Sequence, residues 1–328
     1  MRPYRWRLAR RGEYSRGWRV ISTSPWAWVL LGVVVSLGCG LLASESGEAQ
    51  SYSAYSDPEK PVLSFVLSDE ANVEEFQSEF GLGDEEVATA RKAVREENEA
   101  LAREYAQSEQ LVESSERLPE DRIQATIDSS DYDERVREII AGTKATIEGL
   151  LPEDRRSDLE SWVNAKFAEG SERAARGTVT VLGRGSSKGP GVRCRVFATQ
   201  YNGFTRYEVA LPHRNLKDRY VARKGAIRVV ITRKRGRIRA PVKEVGPWNI
   251  RDNYWQSRKK RDKFDNLRRC KPEAEAAYFN NYNHGKDQFG RKVLNPAGVD
   301  LTPRAAKRLG LRKFQNAWVW VRYPWVGK

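Results

Sequence analysis

The sequence predicts an α+β chain, helical in its first half and closing into a small β-barrel in its last third. Three observations point there. Charge is segregated: residues 1–50 carry 7 Lys and Arg against 3 Asp and Glu, residues 51–170 carry 13 against 30, and residues 171–328 carry 38 against 11. Apolar spacing changes from a three-four pattern before residue 170 to strict alternation after residue 190. Seven arginines precede an uncharged apolar run, "WAWVLLGVVVSLGCGLLA", Trp26 to Ala43. The 328 residues leave room for about two domains with their own cores. Charges sorted in this way imply modules with separate tasks.

Residues 1–50 are expected to be a signal peptide or a membrane anchor. Arginines ahead of an apolar stretch hold its head in the cytoplasm. The run is long enough to remain in the bilayer, yet "GEA" before Gln50 offers small residues for a signal-peptidase cut. Cys39 raises lipidation as a third route, although apolar residues continue past it. Residues 51–77 read as a flexible tether, because the stretch around "SYSAYSDPEKP" is rich in Ser, Glu and Pro.

Residues 78–170 read as an acidic helical region. Asp84 stands at a helix start, followed by Val87, Ala90, Val94, Leu101, Tyr105 and Val112 at helical spacing. A second helix is marked by Val136, Ile139, Ile140, Ile147 and Leu150, and a third by Leu159, Trp162, Val163 and Phe167. No catalytic spacing appears there. Its glutamates read as a solvated face, which makes the region a spacer or docking element with unknown protein partners.

Residues 171–191 form a Gly- and Ser-rich linker, and strands follow. Val192–Tyr201, Ala226–Arg233, Ile238–Val245 and Ala317–Tyr323 alternate apolar with polar or basic residues. Gly236 in "RKRGR" suits a hairpin turn. Trp318 and Trp320 share one strand face and are expected in the core. A basic, aromatic insertion from about Arg251 to Lys292 holds a helical stretch, Pro272 to Tyr282. In "DLTPRAAKRLG", Thr302 can cap a short helix, Pro303 suits its first turn and Gly310 closes it, leaving Asp300 at a strand end.

"ATQYNG", "RVVITRKRGRIRAPVKEVGPWN" and "NPAGVDLTPRAAKRLGL" occur in an order that resembles the double-psi β-barrel of the rare lipoprotein A group. Expansins and family 45 endoglucanases are relatives of that group. The resemblance covers about residues 192–325, and it rests most on the "V-x-x-x-G-P" turn at Val242 to Pro247 and on "DLT" at Asp300 to Thr302. It implies residues 192–328 as a six-stranded double-psi barrel with a basic insertion, acting outside the cytoplasm. Such a barrel binds peptidoglycan or another anionic wall polysaccharide and, in some members, cleaves glycan strands as a lytic transglycosylase.

The resemblance also assigns candidate residues. Asp300 takes the position of the family's acid, with Glu244 as its partner where the group usually has Asp. Asp300 also has a structural reading, in which it pins the barrel turn by accepting backbone hydrogen bonds. A helix start favours its ionised form and burial favours its protonated form. Tyr201, Asn202, Trp248, Asn249, Asn253, Tyr254 and Trp255 are expected to contact sugar. Tyr282, His284 and Asp287, in "NNYNHGKDQFGR", are either sugar contacts or plain turn formers. "YNG" lacks the aspartate that the endoglucanases place nearby, which disfavours a two-carboxylate inverting hydrolase.

Cys194 and Cys270 read as one disulfide or as two buried thiols. Only His213 and His284 are available as imidazole ligands, so neither metal nor cofactor is expected. The basic module calls for an anionic partner, such as peptidoglycan stem carboxylates or teichoic polymers. Basic residues among aromatics also suit single-stranded nucleic acid, and the export signal weighs against that partner. A non-catalytic, expansin-like binding module is the alternative to cleavage.

Overall fold

The computed structural model describes residues 53–326, apart from 116–117, 177–179, 183–190, 204 and 217–226. The expected signal or anchor, Cys39 included, lies outside the described residues. Among the described residues no helix is long and apolar enough to cross a membrane.

The first half is helical. Within the stretch expected to be a tether lie α1 (Val62–Val66) and most of α2 (Glu70–Phe80), which bury Val62, Leu63, Val66, Val73 and Phe76. Asp69 accepts a hydrogen bond from the Ala71 N–H at the start of α2, and Gly81 ends the helix at φ 62°. Both signals are local, and the Ser-, Glu- and Pro-rich residues ahead of them obscured the reading. α3 (Asp84–Ser114) is a 31-residue helix with three acids in its first turn, where the helix dipole favours them. α4 (Glu120–Asp128), α5 (Tyr132–Glu148) and α6 (Arg156–Ala175) complete the layer. The apolar stripes of α2, α3, α5 and α6 meet in one core, with Phe76 and Phe80 packed on Trp162 at 5.5 and 6.1 Å between ring centres, while Ile123 and Ile127 of α4 cluster with Val112 and Phe289.

A short strand, β1 (Thr180–Leu182), pairs antiparallel with the start of β2 (Gly191–Gln200). β3 (Val209–Leu211), β4 (Arg228–Arg233), β5 (Gly236–Val245), β6 (Ala297–Leu301) and β7 (Ala317–Tyr323) follow. The order β2-β6-β3-β5-β4-β7 returns to β2 and closes a six-stranded mixed barrel. The pairs β2–β6 and β3–β5 are parallel, and the other pairs are antiparallel. Alternation fills the interior with Val196, Val229, Ile231, Val242, Val319 and Val321.

The same alternation corrects one expectation. Val319, Val321 and Tyr323 of β7 are buried, so Trp318 and Trp320 lie half-buried on the outer face.

The insertion between β5 and β6 joins barrel and helices. It holds α7 (Glu273–Asn280), and Cys270 forms a disulfide with Cys194 of β2 across 76 residues of chain. A cross-link closing a loop of that length typically stabilises by about 2–4 kcal/mol. Ala274, Ala277, Tyr278, Val293 and Leu294 of the insertion enter the helical core, and residues 51–328 form one compact unit. The acidic helices therefore pack on the barrel module.

Candidate active site

Strand register builds the site. Thr199 of β2 pairs with Asp300 of β6, Asp300 with Ala210 of β3, and Ala210 with Glu244 of β5. The four side chains form one row across four adjacent strands, and all of them line one cavity of about 460 Å³. Asp300 and Glu244 stand two strand spacings apart, roughly 10 Å between backbones. Ala210, the small residue between them, leaves that gap open. At the end of β5 the turn residue Gly246 adopts φ 137°, which residues with side chains rarely take, and this brings the backbone close to Asp300.

Asp300 is buried, and burial pushes its carboxyl up to about 7. The Thr199 hydroxyl donates to Asp300 Oδ1 and draws the value down, while the charge of Glu109 adds to the rise. The rise from burial stands although α8 (Pro303–Arg308) begins only three residues further on. Thr302 does not cap that helix with its side chain. Its hydroxyl donates to the Glu208 carbonyl and accepts from the Glu208 N–H, both at 3.0 Å, and so pins β6 to the start of β3. Glu208 is itself fully buried and accepts from Thr205 Oγ1 at 2.5 Å and from the Tyr201 hydroxyl at 3.4 Å. Burial first, and then the charges of Glu208, Asp300 and Glu244, hold the Tyr201 hydroxyl protonated well above its ordinary range.

The opposite wall comes from α3. Asn98, Leu101, Tyr105 and Glu109 face the cavity, with Ser64 and Phe65 of α1 beside them. The Tyr105 hydroxyl donates to Glu109 Oε1 at 2.9 Å and accepts from the Trp248 N–H at 2.8 Å. Its ring packs on Trp248 with centres 4.7 Å apart. Arg291, fully buried, binds Glu109 Oε1 at 2.5 Å, Asp287 Oδ2 at 2.6 Å and the Trp248 carbonyl at 2.6 Å. This node fastens α3 to the barrel insertion. Burial works against the Arg291 charge, and Asp287 and Glu109 overcome it, raising its proton affinity well above the ordinary value.

The cavity brings together Asp300, Glu244, Tyr201, Asn202 and Trp248 from the expected set. The rest lie elsewhere. Asn249 is buried between Glu273 and the Gln288 N–H, and Asn253 is tied to the backbone of Lys260 and Asp262. Tyr254 donates to the Gly298 carbonyl, and Trp255 stacks on Tyr323 at 4.8 Å, both in the barrel core. Tyr282 binds Asn266, His284 is exposed, and Asp287 is the partner of Arg291. Sequence reasoning missed Thr199, Tyr105 and Glu109 as cavity residues, and also Asn295, which lines the cavity and accepts from Trp248 Nε1 at 3.3 Å. Tyr105 did carry a signal, because it lies in the apolar stripe of α3. Among the described residues no cluster of His, Cys, Asp and Glu is arranged to hold a metal.

A family model described as a domain of unknown function (DUF8814) matches residues 192–322. The match begins in β2 and ends in β7, taking in the barrel and its insertion and none of α1 to α6. No curated protein and no solved structure matches the chain.

Proposed function

We propose that the chain is an exported cell-wall protein whose barrel is of the double-psi kind and binds and cleaves peptidoglycan glycan strands as a lytic transglycosylase. One observation carries this reading. A buried carboxyl with proton affinity near neutrality stands in a cavity walled by Tyr201, Trp248 and amide side chains. Such a group can give a proton and take it back at physiological pH. Asp300 would protonate the glycosidic oxygen as its bond to the anomeric carbon breaks. The sugar's own hydroxyl then bonds to that carbon and returns its proton to Asp300, so no water is consumed. Glu244, on the same row, stabilises the positive charge that develops at the anomeric carbon. The two parallel strand pairs, β2–β6 and β3–β5, support the double-psi reading. Residues 1–50 supply export, as a signal or an anchor.

Retention without cleavage is the second reading. It is favoured by the Thr199 hydrogen bond, which occupies one oxygen of Asp300. Incubation with purified sacculi separates the two. The native chain is expected to release fragments with anhydro-sugar ends, and Asp300→Asn none. Retention on sacculi with no release by the native chain identifies a binding module, and absence of both overturns the glycan reading.

A further inference from the structure

The outer surface of β5, β4, β7 and β2 carries a feature that the cavity chemistry does not use. Two rows cross these four strands. Arg239, Val230, Arg322 and Arg193 are paired in succession, and so are Arg237, Thr232, Trp320 and Arg195. The rows lie two residues apart, about 7 Å along the strands, with neighbouring strands about 4.8 Å apart. The guanidinium of Arg193 sits over the Trp320 ring at 4.2 Å, and that of Arg195 over Trp318 at 5.1 Å. Arg193 also donates to Thr232 Oγ1 at 3.3 Å.

Stacking on a ring fixes a guanidinium plane, leaving a fork ready for a bidentate oxyanion. Arg237 and Arg239 are exposed beside them. Among the described residues Arg193, Arg237 and Arg239 form no ion pair, in a chain with 44 Asp and Glu. Like charges crowd here. Burial, and then Arg237 and Arg239, weaken the proton affinity of Arg322.

We propose that this face binds a linear phosphodiester polymer that carries no bases, a polyol-phosphate chain. Two ring-stacked guanidinium groups with exposed arginines on the neighbouring strand rows suit repeated phosphates, which accept paired hydrogen bonds. Nucleic acid is the weaker fit. Base stacking requires open ring faces, and Arg193 and Arg195 already cover a face of Trp320 and Trp318. The proposal is independent of the glycan reading, since none of these residues lines the cavity.

The test titrates the full chain with poly(glycerol phosphate) at 50 and 200 mM salt, following tryptophan fluorescence. The doubly substituted Arg193→Gln, Arg239→Gln chain is expected to bind at least about tenfold more weakly, with a salt slope reduced by about two charges. Arg193→Lys, which keeps the charge and loses the planar fork, is expected to fall between. Melting temperature serves as the control for folding. If the double variant melts early, Arg237→Gln, an exposed side chain, carries the same test with a slope change of about one. Equal affinity of native and substituted chains overturns the proposal. So does tighter binding of oligothymidylate with the same number of phosphates.

Discussion

Asp287 and Asp300 are buried aspartates of the same module, burial raises the proton affinity of both, and they are given different partners. Asp287 faces Arg291, which reaches it with two side-chain nitrogens and gives its remaining donors to Glu109, the Ser108 hydroxyl and the Trp248 carbonyl. Asp300 receives one hydroxyl, from Thr199, and has no ion-pair partner among the described residues. A buried carboxylate given a cation, as Asp287 is, has the rise that burial causes opposed by that cation, and it holds parts together. One without a cation has its proton affinity lifted towards neutrality. The first arrangement fastens a helix to a barrel, and the second leaves a group able to exchange a proton.

Removing the cation should erase the contrast at the largest cost. Arg291→Met leaves Asp287 and Glu109 without their shared cation, and a loss of about 3–5 kcal/mol is expected in urea unfolding. Adding Asp287→Leu should recover part of that loss. Full stability of the single variant would show that the node does not hold α3 in place.

Asp300→Asn should act in the other direction, with a sign that depends on pH. The native carboxyl has a folded-state value of about 7, above its ordinary 3.8. Its contribution to stability is thus fully present below pH 3.8 and is lost as pH rises through 7. The amide does not titrate. The variant should therefore gain on the native chain between pH 4 and 7, by as much as roughly 4 kcal/mol above pH 7. Paired denaturation curves at pH 4, 6 and 8.5 read this directly, and other titrating groups, common to both chains, cancel. A constant difference across that range would mean that Asp300 is ionised throughout.

The smallest effect belongs to Thr199→Val. Loss of the hydroxyl removes the one group that lowers the proton affinity of Asp300, so its titration midpoint should move upward. Stability above pH 7 should drop by about 1–2 kcal/mol, with little change at pH 4. A downward midpoint in the pH profile would remove Thr199 from the site.

Legibility followed the distance over which each signal acts. β2, β4, β5 and β7 could be read because one face of each is buried and alternation marks it. β3 could not, because it has three residues and all are buried. β6 is buried along its whole length, and "AGVDL" shows no period of two. α3, α5 and α6 announced themselves by apolar stripes, whereas the five residues of α1 are too few to show one. Asp300 and Glu244, which line one cavity, stand in short motifs near the helix start and the turn. Trp255 and Tyr254 were misplaced because an aromatic residue that stacks on sugar and one that fills a barrel look alike in sequence.

By itself the sequence determined the split between acidic helices and a basic barrel, the main strands and the position of Asp300, since these depend on composition and on neighbours a few residues apart. Only the tertiary structure decided that α3 walls the cavity, because Tyr105 and Trp248 are 143 residues apart and meet through packing. It also decided the proton affinity of Asp300. Burial depends on everything that surrounds a carboxyl, and no local motif records it.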